Sequence, residues 1–254
     1  MPPLRQYKTP HAARSPRRGG LPLIRSSSML LGNTSKDSQY LKLMNGLVKS
    51  NSKHPKHKGV KMQAHHILSA DGVKLSGLGS KLEDFGYNIN LEKNLAFLPC
   101  TLQGACHLGV QPHRGNHTAI SDLEETDYDD DDHPRSYHLM VAKKIEALKL
   151  PVDKACTGSD DPARIQIKDK MDVLSKSILG MICKTPNLAR LTKVADHFSI
   201  GNRVGCSGVD SIKDHGDSKQ CPTERNHLNR QGPGQRKEGI SYVSIGLYGA
   251  EPGK

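Results

Sequence analysis

The chain reads as an α+β protein on three observations. Two short apolar segments with strand character, residues 60–68 and 95–98, are separated by a helical stretch and a polar turn. Apolar residues recur at helical spacing in three places: Leu75, Leu78, Leu82 and Phe85; Tyr137, Val141, Ile145 and Leu148; and Met171, Leu174, Ile178 and Ile182. Gly (24) and Pro (15) are plentiful among the 254 residues, which predicts a compact middle with irregular flanks.

Each element follows from its local chemistry. Residues 1–35 carry Pro-Pro, Arg-Ser-Pro-Arg-Arg-Gly-Gly and Ser-Ser-Ser with no apolar period, the composition of a disordered basic arm. Tyr40, Leu41, Leu43, Met44 and Leu47 predict a short helix over residues 36–50. A solvated basic turn is expected at residues 53–59, with His54 and His57 flanking Pro55. The first strand, residues 60–68, ends at the adjacent His65 and His66. The Leu75 to Phe85 stripe, at steps of three, four and three, predicts one amphipathic helix stopped by Gly86. A polar turn over residues 88–94 leads into the second strand, closed by Pro99. Residues 100–116 look irregular, and an acidic insertion occupies residues 122–132. Pro134 and Pro151 bracket a helix carrying Tyr137. Further helices are expected over residues 165–183 and 188–198, then Gly-, Ser-, Asp- and Pro-rich chain, then a strand over residues 240–248. Three regions result: an arm (1–35), a core (36–150), and a C-terminal extension of helices, loops and a terminal strand (151–254).

Composition restricts the partners. Hydrophobic residues make up 35% and aromatics 4%, with no Trp, so the core is modest. Lys plus Arg (37) exceed Asp plus Glu (26), a formal charge of +11 that favours polyanions such as nucleic acid or an acidic membrane surface. No run of about 18 apolar residues is present, so membrane insertion is not expected. The basic N-terminus lacks the apolar centre of a cleaved secretory signal. Six cysteines (100, 106, 156, 183, 206, 221) include no CxxC; Cys206 and Cys221 would close a short loop, and Cys156 and Cys183 read as free buried thiols.

The chemistry concentrates between Gln63 and His117. Adjacent residues on a strand point to opposite faces, yet at a twisted strand end both His65 and His66 can approach one site. His113 and His117 are four apart, a spacing that suits a shared cation on one side of a turn. A neutral imidazole can take a proton from water, and another can hold a cation. Arg114 is a candidate phosphate clamp.

The ordered series of Ala64-His65-His66, Gly86-Tyr87-Asn88-Ile89-Asn90, Asn94, Phe97-Leu98-Pro99, His113, His117 and Tyr137-x3-Val141 resembles the AHH family of the HNH/endonuclease VII nuclease superfamily, in its polymorphic-toxin type. The likeness covers about residues 62–149. It implies a ββα-metal (His-Me finger) core with additional helices and an irregular C-terminal extension. It further implies a metal-dependent endonuclease, with DNA as the expected substrate. His66 takes the general-base role, His65, His113 and His117 the metal-ligand roles, and Asn90 or Asn94 holds the loop and orients the base. The family usually runs from the second downstream His almost directly into the Tyr-bearing helix, whereas the acidic insertion intervenes here, so His133 is an alternative last ligand. One divalent ion is implied, with Mg, Mn, Zn and Ni all admissible. The toxin context implies a delivered effector without a cleaved signal, acting in the target-cell cytoplasm, and a cognate acidic immunity protein. A nuclease of restriction, repair or mobile elements, otherwise cytoplasmic, is the alternative within the same class. A non-catalytic zinc-binding nucleic-acid module, using Cys100, Cys106 and His107 with His113 or His117, is the alternative outside it. The run Asp129–Asp132 reads as a solvated loop, with a nucleic-acid mimic covering the basic site as the sharper reading.

Overall fold

A computed structural model describes residues 32–114, 134–148, 161–229, 239–243 and 248–254. His117, His133, Cys156, the acidic insertion and nearly all of the expected basic arm lie outside the described residues. Of the arm's last residues, Asn33 bridges Asn88, and the backbone N and Oγ1 of Thr34 both donate to Glu83 Oε1 at 2.7 Å.

The scaffold is mixed. Helix α1 (Gln39–Lys49) buries Tyr40, Met44 and Val48, one face at a four-residue period. Strands β1 (Met62–His66) and β2 (Leu95–Pro99) form a two-stranded antiparallel sheet, in the register Met62↔Pro99, Ala64↔Phe97, His65↔Ala96 and His66↔Leu95. Both faces of this pair are covered, which explains why all five residues of β2 are apolar and buried. One face, with Met62, Ala64, Leu95 and Phe97, packs on α1 through Tyr40, Met44 and Val48. The other, with Ala96 and Leu98, faces Tyr137, Val141, Met171, Ile178 and Ile182. Those residues come from α5 (Arg135–Ala147) and α6 (Asp161–Lys184). Helix α6 therefore shares a core with the strands that carry the histidine pair, across the expected boundary at residue 150.

Several expected elements differ. The stripe over residues 75–85 is not one helix but two, α2 (Ala70–Leu75) and α3 (Gly79–Asp84). The chain turns between them at Gly77, whose φ of +68° is accessible chiefly to glycine. Leu75 is consequently exposed while Leu82 is buried. Residues 102–108, expected to be irregular, form α4 (Leu102–Leu108). Thr101 caps its start by accepting from Gly104 N, and Gly109 ends it in the left-handed region at φ +70°. The helix expected over residues 188–198 is replaced by single 3-10 turns, Pro186–Leu188 and Ala195–Phe198. The described residues of the expected last strand, 240–243 and 248, carry no ladder. His54, expected in solvent, is buried against Phe97 at the start of a 3-10 turn, Pro55–Lys58.

Candidate active site

The register decides where the paired histidines go. His66 shares a face with Ala64 and Leu95 and meets the α1 side; His65 shares a face with Ala96 and meets the α5 side. Both are buried. Each ring has its own set of contacts.

On the first face the His66 ring lies edge-on to Tyr40, with centroids 4.4 Å apart. Its Nε2 is 3.0 Å from Asn90 Oδ1. The orientation of that amide is fixed by chemistry. Asn90 Nδ2 donates to the carbonyl of Ser35 at 2.8 Å, and a carbonyl can only accept. The opposite end is thus the oxygen, which also accepts from Asp37 N at 3.0 Å. An oxygen facing His66 requires Nε2–H as donor, so the neutral ring carries its lone pair on Nδ1. The Asn-rich turn supplies the remaining support: Asn88 Oδ1 accepts from both the backbone N and the Nδ2 of Asn90.

Asn94 performs a different task. Its Nδ2 donates to Leu68 O and Ile89 O, and its Oδ1 accepts from Leu68 N and Ser175 Oγ. Those four bonds exhaust the amide and tie the loop after β1 to α6. Of the two asparagines, only Asn90 is bonded to a histidine in these contacts.

On the second face His65 meets His113, with ring centroids 4.6 Å apart. Tyr137, fully buried on α5, reaches in from above. Burial raises its phenol far beyond the usual range, so it stays protonated. That single proton goes to Ile67 O at 2.6 Å. The Tyr137 oxygen, 3.1 Å from His65 Nε2, must then accept, which places the His65 lone pair on Nδ1 as well.

His113 is delivered by residues 111–114, a segment locked at three points. Gln111 donates to Ile182 O and Ala189 O and accepts from Leu191 N. His113 N donates to Pro99 O at 2.8 Å. Arg114, the candidate phosphate clamp, is 3% exposed and donates through Nη2 to Asp210 O. The guanidinium is therefore inside the protein, engaged with the chain's own backbone. A nearby polar tie, Ser69 Oγ to His138 Nδ1 at 2.8 Å, joins the start of α2 to α5 and has no signal in the sequence.

The donor set at His65 and His113 suits a divalent ion: two buried imidazoles in ring contact, one held in a defined tautomer by a tyrosine. The expected third ligand, whether His117 or His133, lies outside the described residues. Of the zinc set expected from Cys100, Cys106 and His107 with His113 or His117, the described members do not assemble. Among the described residues, the groups of three or more potential ligands are Cys106, Cys206, Cys221 and His227, and separately His197, His215 and Asp217. His107 instead points its Nε2 at Tyr242 O, 2.7 Å away. Cys206 and Cys221 are free thiols rather than a disulfide.

No curated protein and no solved structure matches the chain. A family match does exist, over residues 47–166, which hold β1, the Asn-rich turn, β2, the His113 segment and the Tyr137 helix. Over that segment the chain matches the AHH family, a nuclease family of the HNH/ENDO VII superfamily with conserved AHH.

Proposed function

We infer that the protein is a metal-dependent endonuclease that hydrolyses phosphodiester bonds of DNA, with a ββα-metal core in which His66 is the general base. The observation that carries this reading is the tie from His66 Nε2 to Asn90 Oδ1, whose polarity is set by Ser35 O. It leaves Nδ1 as the basic atom of a neutral ring. His66 takes a proton from water there, and the hydroxide attacks phosphorus as the P–O3′ bond breaks, with the leaving oxygen protonated from solvent. His65 and His113 would hold the ion with His117, and His133 is the alternative third ligand. A bound divalent ion supplies charge stabilisation at the phosphoryl and leaving oxygens. Tyr137 orients His65 for ligation, as outer partners of metal-bound histidines do.

The reading extends to a toxin-type effector, acting in the cytoplasm of a target cell and blocked by an acidic immunity protein. What supports that extension is the formal charge of +11, which an acidic inhibitor would complement.

Plasmid cleavage tests the enzyme. Supercoiled DNA, with RNA in parallel, is incubated with the protein in EDTA, Mg²⁺, Mn²⁺, Zn²⁺ or Ni²⁺. Cleavage is expected only with a divalent ion, and His66→Ala is expected to lower the rate by about 10²–10⁴-fold while retaining the circular dichroism of the parent. A folded His66→Ala variant that nicks plasmid at the parental rate sinks the assignment. His117→Ala and His133→Ala then identify the third ligand, since only one should raise the metal concentration needed for cleavage.

A further inference from the structure

Away from the histidine pair, four side chains from distant parts of the chain meet in the interior. Cys106 lies near the end of α4; Cys206, Cys221 and His227 come from the irregular chain after Phe198. All four are buried, and their ligand atoms lie within 4.8 Å of one another. The Sγ atoms of Cys206 and Cys221 are 3.6 Å apart, and His227 Nε2 is 3.7 Å from the first and 3.5 Å from the second. A tetrahedral zinc with Zn–S of about 2.3 Å and Zn–N of about 2.0 Å sets S···S edges of about 3.8 Å and S···N edges of about 3.5 Å. These three edges match that tetrahedron, and Cys106 Sγ lies within 4.8 Å of all three atoms. A disulfide needs about 2.05 Å between its sulfurs and would leave the third thiol and the imidazole without a task. We propose that Cys106, Cys206, Cys221 and His227 bind one structural zinc ion, distinct from the ion of the nuclease site. Three of these four residues lie beyond residues 47–166, the segment that the AHH family matches.

The surroundings are built for such an ion. Four protein ligands leave no open position, the arrangement of a structural rather than a catalytic zinc. Among the described residues, the non-glycine residues with positive φ are Ser207, Glu224, Arg225 and Asn229, and each lies within three positions of a ligand. A backbone held in that region needs a strong local constraint, which metal ligation provides. Gly205, at φ +52°, passes so close that a Cβ would sit 2.5 Å from Cys106 Sγ. The amide of Arg225 points at Cys221 Sγ over 3.4 Å, the kind of donor that stabilises a thiolate ligand. The Arg225 guanidinium then binds the carbonyls of Cys106, Phe198, Ser199 and Asn202, joining the α4 ligand to the loop ligands. The apolar cluster here is small, and Cys106, Cys206 and Cys221 are themselves three of its members. The described residues 199–229 carry no helix or strand, and a bound ion would staple such a stretch. The same loop supplies Asp210 O to Arg114, so the ion would brace the segment that delivers His113.

Cobalt substitution of the full-length protein tests this directly. Loaded with Co²⁺, the parent is expected to show thiolate-to-cobalt charge-transfer absorption in the near ultraviolet and the intense visible bands of a tetrahedral site. The double variant His65→Ala/His113→Ala should keep both features and, prepared with zinc, should retain one zinc per chain by elemental analysis. Cys206→Ser should lose them. His227→Cys should keep the ion and gain the absorption of a fourth thiolate, an outcome that a merely misfolded variant cannot produce. The proposal is overturned if the cobalt-loaded parent shows no thiolate charge transfer, if the band vanishes with the nuclease histidines, if Cys206→Ser retains it in full, or if peptide mapping of the unreduced parent finds Cys206 joined to Cys221.

Discussion

At the scale of the residue, the two asparagines separate by what they touch. Asn90 spends its oxygen on His66 and Asp37, so its removal takes away the bond that sets the ring's tautomer. Asn94 spends all four of its bonds on Leu68, Ile89 and Ser175. Asn90→Ala is therefore expected to lower the cleavage rate on the order of tenfold to a hundredfold, the usual effect of losing an orienting partner. Asn94→Ala orphans buried backbone groups and is expected to cost about 1–3 kcal/mol for each group left unsatisfied. Its rate per folded molecule should hold. Urea denaturation beside plasmid cleavage checks both, and a destabilised but fully active Asn90→Ala would remove the orienting role. The amino acids alone do not tell the two positions apart, because the turn holds several asparagines and only the fold decides whose oxygen faces the ring. The His65 and His113 pairing is legible from the ordered motif series. The Tyr137 oxygen that sets the His65 tautomer, and the Ser35 carbonyl that sets that of His66, are not, since neither residue type advertises such a use.

Elements show where local signals hold and where tertiary contacts override them. Helices α1, α5 and α6 and strand β2 follow their apolar periods, because each lays a continuous stripe on a core. The break between α2 and α3 is hidden in the sequence because Leu75 and Leu78 keep helical spacing on either side of Gly77, whose left-handed backbone interrupts the turn. Helix α4 is hidden because Gly104 sits inside it; the Thr101 cap and Gly109 stop outweigh that glycine's low propensity. Close packing of α2 on α5 gives a sharp test. A Cβ on Gly72 would lie 2.6 Å from Val141 Cγ1. Gly72→Ala is expected to cost about 1–3 kcal/mol through overpacking, against the usual gain for Gly to Ala in a helix. A variant that melts at or above the parental temperature refutes that packing argument. His54, at the head of the turn Pro55–Lys58, contributes a pH dependence. Burial, then the charges of His57 and Lys56, lowers His54 to about 4 from an unfolded value near 6.5. Between those values the unfolded chain binds more protons than the folded one. The His54 contribution is thus fully present above pH 6.5 and is lost as pH falls toward 4. His54→Asn keeps an acceptor for Lys56 N without the titration, so its urea midpoint should fall less than the parent's across that interval.

Across the whole molecule, the question is whether the chain after residue 150 is an appendage or part of the nuclease. Composition suggests an appendage, since the chain changes character near Pro151 and carries no further nuclease motif. Packing answers otherwise. Ile178 and Met171 of α6 lie in one cluster with Ile67, Leu68 and Ala96, which follow the histidine pair in sequence or face it across the sheet. Ser175 on the same helix bonds Asn94, the amide that fixes the loop after β1. Hydrophobic cores shared in this way unfold as one cooperative unit. Ile178→Ala should therefore act far from its own position in the sequence. It is expected to destabilise the protein by about 2–5 kcal/mol, as cavity-forming substitutions in a packed interior do. The decisive measurement is native-state hydrogen exchange of the amides of β1. If α6 and the strands form one unit, the slowest of those amides should lose protection equal to the global loss measured in urea. If only the α6 amides respond while β1 exchanges as before, α6 is an independently unfolding attachment, and the nuclease site draws none of its rigidity from the second half of the chain.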